Sequence, residues 1–205
     1  MKIISNTAIS LDGRIAVAAN QLPFLGSGAD KKRLLEIRDL ADAVLMGGNT
    51  FRHWPHPRVS WTAERDPLLN VVLTNSGEIS FDQEFLDEPR ILPLVLTTQR
   101  RFSAPGPVET IFCSGELSPE WIVTTLKSRD VSTLLLEGGG NIIHQFLAAG
   151  LLHEMYVTLC SKIIGDVAAP SLADGPAFTG SPVRDLELIS QQIIGDEIFL
   201  HYRVL

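Results

Sequence analysis

The sequence predicts an α/β fold with a mostly parallel central sheet, flanking helices and an antiparallel hairpin at the C-terminal end. Three observations point to it. Short runs rich in Val, Ile and Leu alternate with segments of helical period. Glycine-rich or small polar turns follow three of those runs. Residues 186–204 read as two strands around Gly195-Asp196. One domain over residues 1–205 accommodates all of these elements.

In chain order, Lys2 to Ile9 is β-branched and extended, and Leu11-Asp12-Gly13 punctuates it. Asp12 is expected to shape that turn by an Asx-type bond. Residues 14–29 are small and polar and read as a long loop, a length that in compact domains tends to be functional. Asp30 then caps a helix whose apolar face is Leu34, Leu35, Ile37 and Leu40. Ala43 to Met46 is a buried strand ended by Gly47-Gly48, and Asn49 or Thr50 caps a short helix that Pro55 and Pro57 stop. Val71–Thr74, Leu94–Thr97 and Glu109–Cys113 are further strands. Ser118-Pro119-Glu120 opens a helix to about Lys127, with proline in its first turn. Thr133–Leu136 is a strand, Glu137 to Gly140 a tight turn, and Asn141–Ala149 a helix closed by Gly150. Residues 153–160 form the strand before the terminal hairpin.

Composition narrows the function. The chain is 45% hydrophobic and 20% charged, with a formal net charge of −7. That acidity argues against nucleic acid as a partner, because phosphate neutralisation needs clustered Lys and Arg. Cys113 and Cys160 stand alone, without a Cys-x-x-Cys pair or a His cluster, so neither a disulfide framework nor a metal site is expected and both read as buried thiols. No apolar run is long enough for a membrane span, and polar Ser5, Asn6 and Thr7 interrupt any signal-like stretch. A cytoplasmic protein with a small-molecule substrate is the expectation.

Ligands of open α/β sheets gather at the carboxyl ends of strands. Three such ends carry unusual turns here: Gly47-Gly48-Asn49-Thr50, Thr74-Asn75-Ser76 and Glu137-Gly138-Gly139-Gly140-Asn141. Glycine admits close backbone approach, and a helix starting there presents N–H groups and a positive dipole end. Each turn alone is an ordinary loop. Together they predict a long anionic ligand such as a dinucleotide lying along one sheet edge. The Gly-x-Gly-x-x-Gly fingerprint is absent after the first strand, so a Rossmann arrangement is not expected.

Ser10-Leu11-Asp12-Gly13-Arg14-Ile15-Ala16 resembles the opening motif of the riboflavin-biosynthesis reductase domain, and Leu136-Glu137-Gly138-Gly139-Gly140 resembles that family's second signature. Ile37-Arg38, Asp42-Ala43-Val44-Leu45 and the Gly-x-x-Thr turn fall at the family's spacing. The resemblance implies a dihydrofolate-reductase-like fold, a homodimer, and hydride transfer from NADPH to the ribosyl carbon of 5-amino-6-(5-phosphoribosylamino)uracil. It implies that the Ala8 backbone meets the nicotinamide amide and that Phe24 lies beside the cofactor. On the same resemblance, Gly48, Thr50 and the helix behind them would hold the pyrophosphate, Asn75 or Ser76 the adenosine half, and Gly138, Gly139, Gly140, Asn141 and Ile142 the phosphates. Glu137 is the catalytic candidate, through a substrate hydroxyl or a proton relayed by water, with a turn carboxylate as its competing reading. Arg38, Asp30 and Arg58 are the substrate-binding candidates.

The match departs in the substrate half. Relatives continue after the Gly-x-x-Thr turn with Asp-Asp-Pro and a downstream arginine, whereas this chain reads Phe51-Arg52-His53-Trp54-Pro55-His56-Pro57-Arg58, and Leu22 stands where many have serine. Arg58 is a candidate substitute for that arginine after a small register shift, and His53, Trp54 and His56 either line a different pocket or pack as a proline-rich loop, with packing the expectation. A preceding deaminase domain is not expected, since Met1 leads directly into the first strand. A reductase of the same fold acting on a pterin or another carbonyl or imine is the alternative, and a non-catalytic nucleotide-binding module the third.

Overall fold

A computed structural model describes residues 1–17, 25–180 and 183–205. The strands are β1 (Lys2–Ser10), β2 (Ala43–Gly47), β3 (Leu68–Thr74), β4 (Ile91–Thr97), β5 (Glu109–Phe112), β6 (Thr133–Leu136), β7 (Glu154–Cys160), β8 (Leu186–Ile194) and β9 (Glu197–Val204). The helices are α1 (Gly28–Arg38), α2 (Gly48–His53), α3 (Gln83–Asp87), α4 (Pro119–Lys127) and α5 (Gly140–Ala148).

The strands form one sheet in the order β5-β4-β3-β2-β6-β1-β7-β9-β8. Every pairing from β5 across to β7 is parallel, and the β7–β9 and β9–β8 pairings are antiparallel. Alternate residues of the central strands feed two cores. Ile3, Leu45, Leu134 and Leu136 pack against α4 and α5 through Ile122, Leu126, Ile143 and Phe146. Ile4, Val44, Met46 and Leu135 pack on the opposite face against Ile37, Phe51 and Phe85. Burial on both faces explains why these strands read as continuous apolar runs rather than alternating ones. The fold is thus the α/β arrangement with an antiparallel C-terminal pair that the sequence predicts. Both cysteines are buried.

The structure corrects four local expectations. Ser27, not Asp30, caps α1: its side chain accepts from the Ala29 amide. Leu40 lies beyond the helix and is 55% exposed, while the buried residues of α1 are Asp30, Ile37 and Arg38. Gly47 caps α2, and neither Asn49 nor Thr50 does. Asp12 reaches far beyond its own turn: it accepts from Ser10 Oγ at 2.6 Å and from the amides of Ile164 and Gly165 at 3.1 and 2.8 Å. The Ser10 hydroxyl and those amides hold its pKa below the usual carboxylate range. Asp12 therefore ties the end of β1 to the loop after β7. Helix α3, capped by Asp82, was not legible in the sequence. It completes an aromatic cluster in which Phe51 and Phe85 meet edge-on with centroids 5.1 Å apart, and Phe81 lies 5.1 Å from Phe51. That cluster seats α2, and with it Thr50.

Candidate functional site

Strand lengths create the site. β6 has four residues and ends at Leu136. On one side β1 pairs with it only through Ser5, then runs on to Ser10. On the other side β2 pairs through Leu45 and runs on to Gly47. The sheet therefore has a notch at the carboxyl end of β6. Glu137 to Gly140 turn within it, fixed by the Glu137 amide donating to Leu45 O at 2.9 Å. A cleft of about 700 Å³ opens over this notch.

β1 lines one wall with Asn6, Thr7 and Ala8. Past Ser5 this strand has lost its β6 neighbour, so main-chain groups on that side face the cleft. Among the described residues no partner meets the buried Oδ1 of Asn6 or Oγ1 of Thr7. Buried polar atoms are nearly always paired, so this pair points to a ligand.

The glycine turn lines a second wall, and its three glycines do different jobs. A Cβ on Gly140 would lie 2.3 Å from Ser171 O, and one on Gly138 would lie 2.6 Å from Ile142 Cδ1. Both are small so that the chain can pack. Only Gly139 opens outward, where a Cβ would face Thr50 Oγ1 at 3.8 Å. Gly139 is also the N-cap of α5 and supplies no side-chain cap. The N-terminus of that helix, with its positive dipole end, therefore begins at a glycine that faces the Thr50 hydroxyl.

Helix α1 supplies a third wall through Asp30, Leu34 and Arg38, spaced four residues apart on one face. Arg38 Nε and Nη2 donate to Glu137 Oε1 and Oε2 at 2.6 and 2.8 Å, and Nη1 donates to Val59 O at 3.1 Å. Arg58 Nε stands 3.5 Å from Glu137 Oε2. Its main chain is locked to Asn70, whose Oδ1 accepts from Arg58 N and whose Nδ2 donates to Arg58 O. Burial pushes the Glu137 pKa up, but Arg38 and then Arg58 outweigh it and leave that pKa below the ordinary carboxylate value. Burial lowers Arg58 to about 10, with Glu137 opposing. The trio is therefore two guanidiniums around one carboxylate. Asp30 is different. Burial raises it, Glu197 adds to the rise, and the Thr158 hydroxyl and Arg33 work against it.

Several assignments need revision. Glu137 has both oxygens engaged by Arg38 and is held as a carboxylate, so the structure does not favour it as a proton donor. Ile142 does not line the cleft: its amide donates to Gly139 O at 3.0 Å and its side chain packs on Gly47 and Gly138. Gly48 faces Leu73 O, 3.1 Å from where a Cβ would sit. Asn75 and Ser76 lie at the same sheet edge but outside the cleft. Asn75 O and Oδ1 accept from Thr98 Oγ1, and Ser76 Oγ accepts from the Glu78 amide. Phe24 and Leu22 fall outside the described residues. His53 and Trp54 line the cleft rather than packing away, whereas His56 leans on Trp54 edge-on and faces Glu84 at 3.3 Å. Sequence reasoning missed Asn6 and Thr7, which look like ordinary strand residues. It also missed Ala168, Pro170 and Asp174 from an aperiodic loop whose Asp174 amide docks on Gly140 O at 3.0 Å.

Comparison with known proteins agrees with this architecture. The chain is 26% identical over 217 residues to the 2,5-diamino-6-ribosylamino-4(3H)-pyrimidinone 5′-phosphate reductase of Methanothermobacter thermautotrophicus, covering 98% of this chain and 97% of that protein. It is 29% identical to the riboflavin biosynthesis protein RibD of Synechocystis over 80% of this chain and 46% of the relative. Among solved structures, the deaminase/5-amino-6-(5-phosphoribosylamino)uracil reductase of Thermotoga maritima superposes with a TM-score of 0.85 at 20% identity, over 100% of this chain and 56% of that one. At that identity the superposition shows the fold. The chain spans about half the length of these two RibD-type relatives. The RibD C-terminal domain model matches residues 1–200. The chain belongs to the RibD C-terminal domain family.

Proposed function

We propose that the chain is an NADPH-dependent reductase that transfers a hydride to the ribosyl carbon of 5-amino-6-(5-phosphoribosylamino)uracil in riboflavin biosynthesis. The observation that carries this reading is a single cleft with two unlike ends. One end has orphaned strand acceptors and an open helix N-terminus facing a hydroxyl. The other has a buried pair of arginines around a carboxylate.

The first end fits a nicotinamide dinucleotide. Asn6 Oδ1, Thr7 Oγ1 and the unpaired main chain around Ala8 offer partners to a carboxamide. Gly139, Asn141 and Thr50 offer donors to phosphate. Bound NADPH would supply the hydride. Asn75 or Ser76 meets the adenosine half only where the ligand leaves the cleft along the sheet edge.

The second end fits the substrate. Arg38 and Arg58 against Glu137 leave one net positive charge, suited to a phosphate or to pyrimidine carbonyls. Glu137 positions both arginines. Adding a hydride to the carbon of a C=N bond requires the nitrogen to gain one proton. Asp30, buried at the cleft with a raised pKa, is the carboxyl suited to give it. Main-chain and glycine walls hold the reacting carbon close to the donor, which hydride transfer needs more than strong acid.

The test is turnover. Purified protein with NADPH and the aminouracil phosphate should oxidise the cofactor and form the ribitylamino product. The 2,5-diaminopyrimidinone phosphate, named for the archaeal relative, should be run beside it. His53 and Trp54 occupy the segment where relatives carry an acidic pair, and this favours the second reading, a pterin or other carbonyl or imine as substrate. Reduction of that class, with neither pyrimidine consumed, would replace the first reading by the second.

A further inference from the structure

Glu197 opens β9, directly after the Gly195-Asp196 turn, and is only 7% exposed. Both its oxygens accept from one residue: Ser27 N donates to Oε1 at 2.7 Å and Ser27 Oγ to Oε2 at 2.6 Å. Ser27 is the N-cap of α1, so a side chain 170 residues later in the sequence fixes where that helix begins. Asp30 follows in the first turn, 8% exposed and lining the cleft. The backbone before the cap is folded against it, since a Cβ on Gly26 would fall 2.0 Å from Asp30 Oδ2. Lys162, just beyond β7, donates to Leu25 O and braces the same stretch.

We propose that Glu197 is a positioning residue for Asp30: its clamp on Ser27 sets the start of α1 and so where the Asp30 carboxyl meets the cleft, and its buried carboxylate acts on that carboxyl from β9. The proposal deepens the reductase reading and rests on it for the reaction, while the clamp and the protonation are measurable without turnover.

The groups around Asp30 are few. Arg33 comes from its own helix, Thr158 and Cys160 from β7, and Glu197 from β9. Lys162 acts on Cys160 from the end of β7. Arg33 opposes protonation of Asp30, and the Thr158 hydroxyl also stabilises the ionised form. The Cys160 thiol is pushed up to about 12, by burial first and then by Glu197 and Asp30, so it contributes no charge near neutrality. Beside burial, Glu197 is thus the group in this cluster that resists ionisation of Asp30 by its charge.

The experiment is carboxyl-carbon NMR titration of the full chain, with the Asp30 resonance assigned by its loss in Asp30→Asn. In Glu197→Gln the Asp30 midpoint should fall by roughly one pH unit, a tenfold change in its ionisation constant. The alkaline limb of kcat/KM should move down by the same amount, while the acidic plateau changes less. Ser27→Ala keeps the carboxylate but loosens the clamp. It should leave the Asp30 midpoint raised and lower the melting temperature. An unchanged midpoint in folded Glu197→Gln overturns the proposal. So does a Ser27→Ala midpoint that falls as far as that of Glu197→Gln, because helix placement alone would then set the protonation. Absence of turnover in the unmodified protein, with the midpoints moving as stated, removes the reductase reading and leaves the positioning role standing.

Discussion

Arg38 and Glu137 form a bidentate pair, at 2.6 and 2.8 Å, with both side chains more than nine-tenths buried. One partner ends the first helix and the other follows the shortest central strand, so the pair fastens α1 to the notch that forms the cleft. Removing one member of a buried pair leaves an uncompensated charge and costs roughly 3–5 kcal/mol. Arg38→Met should fall at the low end, because Arg58 still faces Glu137 at 3.5 Å. Urea unfolding measures the loss, and one below about 1 kcal/mol would mean that the pair is solvated and contributes as a surface bridge does.

The same pair sets an acid limit. Arg38 and Arg58 hold the Glu137 pKa below its ordinary value. The stability it contributes is therefore present above the unfolded value of about 4.5 and is lost as pH falls through the lower folded value. Melting temperature should decline on acidification below that point, and the decline should be shallower in Arg38→Met. Equal slopes in the two proteins would assign acid unfolding to other carboxylates.

Asp30 has the opposite sign. Its raised pKa means that its contribution is complete below the unfolded value of 3.8 and is lost as pH rises through the folded one. Asp30→Asn removes a carboxyl that is costly to ionise, so the variant should melt at or above the unmodified protein in alkaline buffer. Its kcat should fall by about 10²–10⁴ if Asp30 is the proton donor. Activity retained within a few-fold would leave proton delivery to water.

Much of this was legible in the sequence, and the failures share a cause. Strand β6 could be read to the residue, and so could the cap at Ser118 and the Gly195-Asp196 turn, because local pattern decides each. Ser27 against Asp30 is a choice between two good caps three residues apart, and the residue that settles it, Glu197, lies at the other end of the chain. Arg38 and Asp30 looked like the polar face of α1 but occupy its buried side, because the cleft, not solvent, is what they face. The notch itself depends on relative strand lengths after pairing, which no local pattern encodes. Gly138, Gly139 and Gly140 are identical letters whose different roles appear only when Ser171, Thr50 and Ile142 are in place.

Those glycines separate folding from binding. Gly140→Ala would place a Cβ 2.3 Å from a main-chain oxygen, which cannot yield as a flexible side chain does, so it should cost stability or prevent folding. Gly139→Ala meets only Thr50 Oγ1 at 3.8 Å and should fold normally. It should nevertheless weaken NADPH binding about tenfold or more, as a methyl group enters the gap assigned to phosphate. Calorimetric titration with NADPH checks this, and unchanged affinity in Gly139→Ala would move the phosphate elsewhere.

The last prediction concerns the sheet's far edge. All nine residues of β8 are exposed, among them Leu188 at 47% and Ile193 at 71%. Edge strands are ordinarily protected by lysine, proline or a covering element. β8 has no lysine or proline, its one charged residue is Glu187, and a register shift between Leu188 and Ser190 is its main irregularity. A second copy pairing along this edge would give the homodimer that the family resemblance implies. Antiparallel pairing of a strand with itself is self-complementary, as two-fold symmetry requires. Sedimentation equilibrium should return a dimer at micromolar concentration, and Ile193→Lys combined with Leu188→Lys should return a monomer. Because β9 and β7 separate β8 from β1, that monomer should still bind NADPH. A monomeric unmodified protein would leave the β8 edge unexplained and remove the dimer from the account.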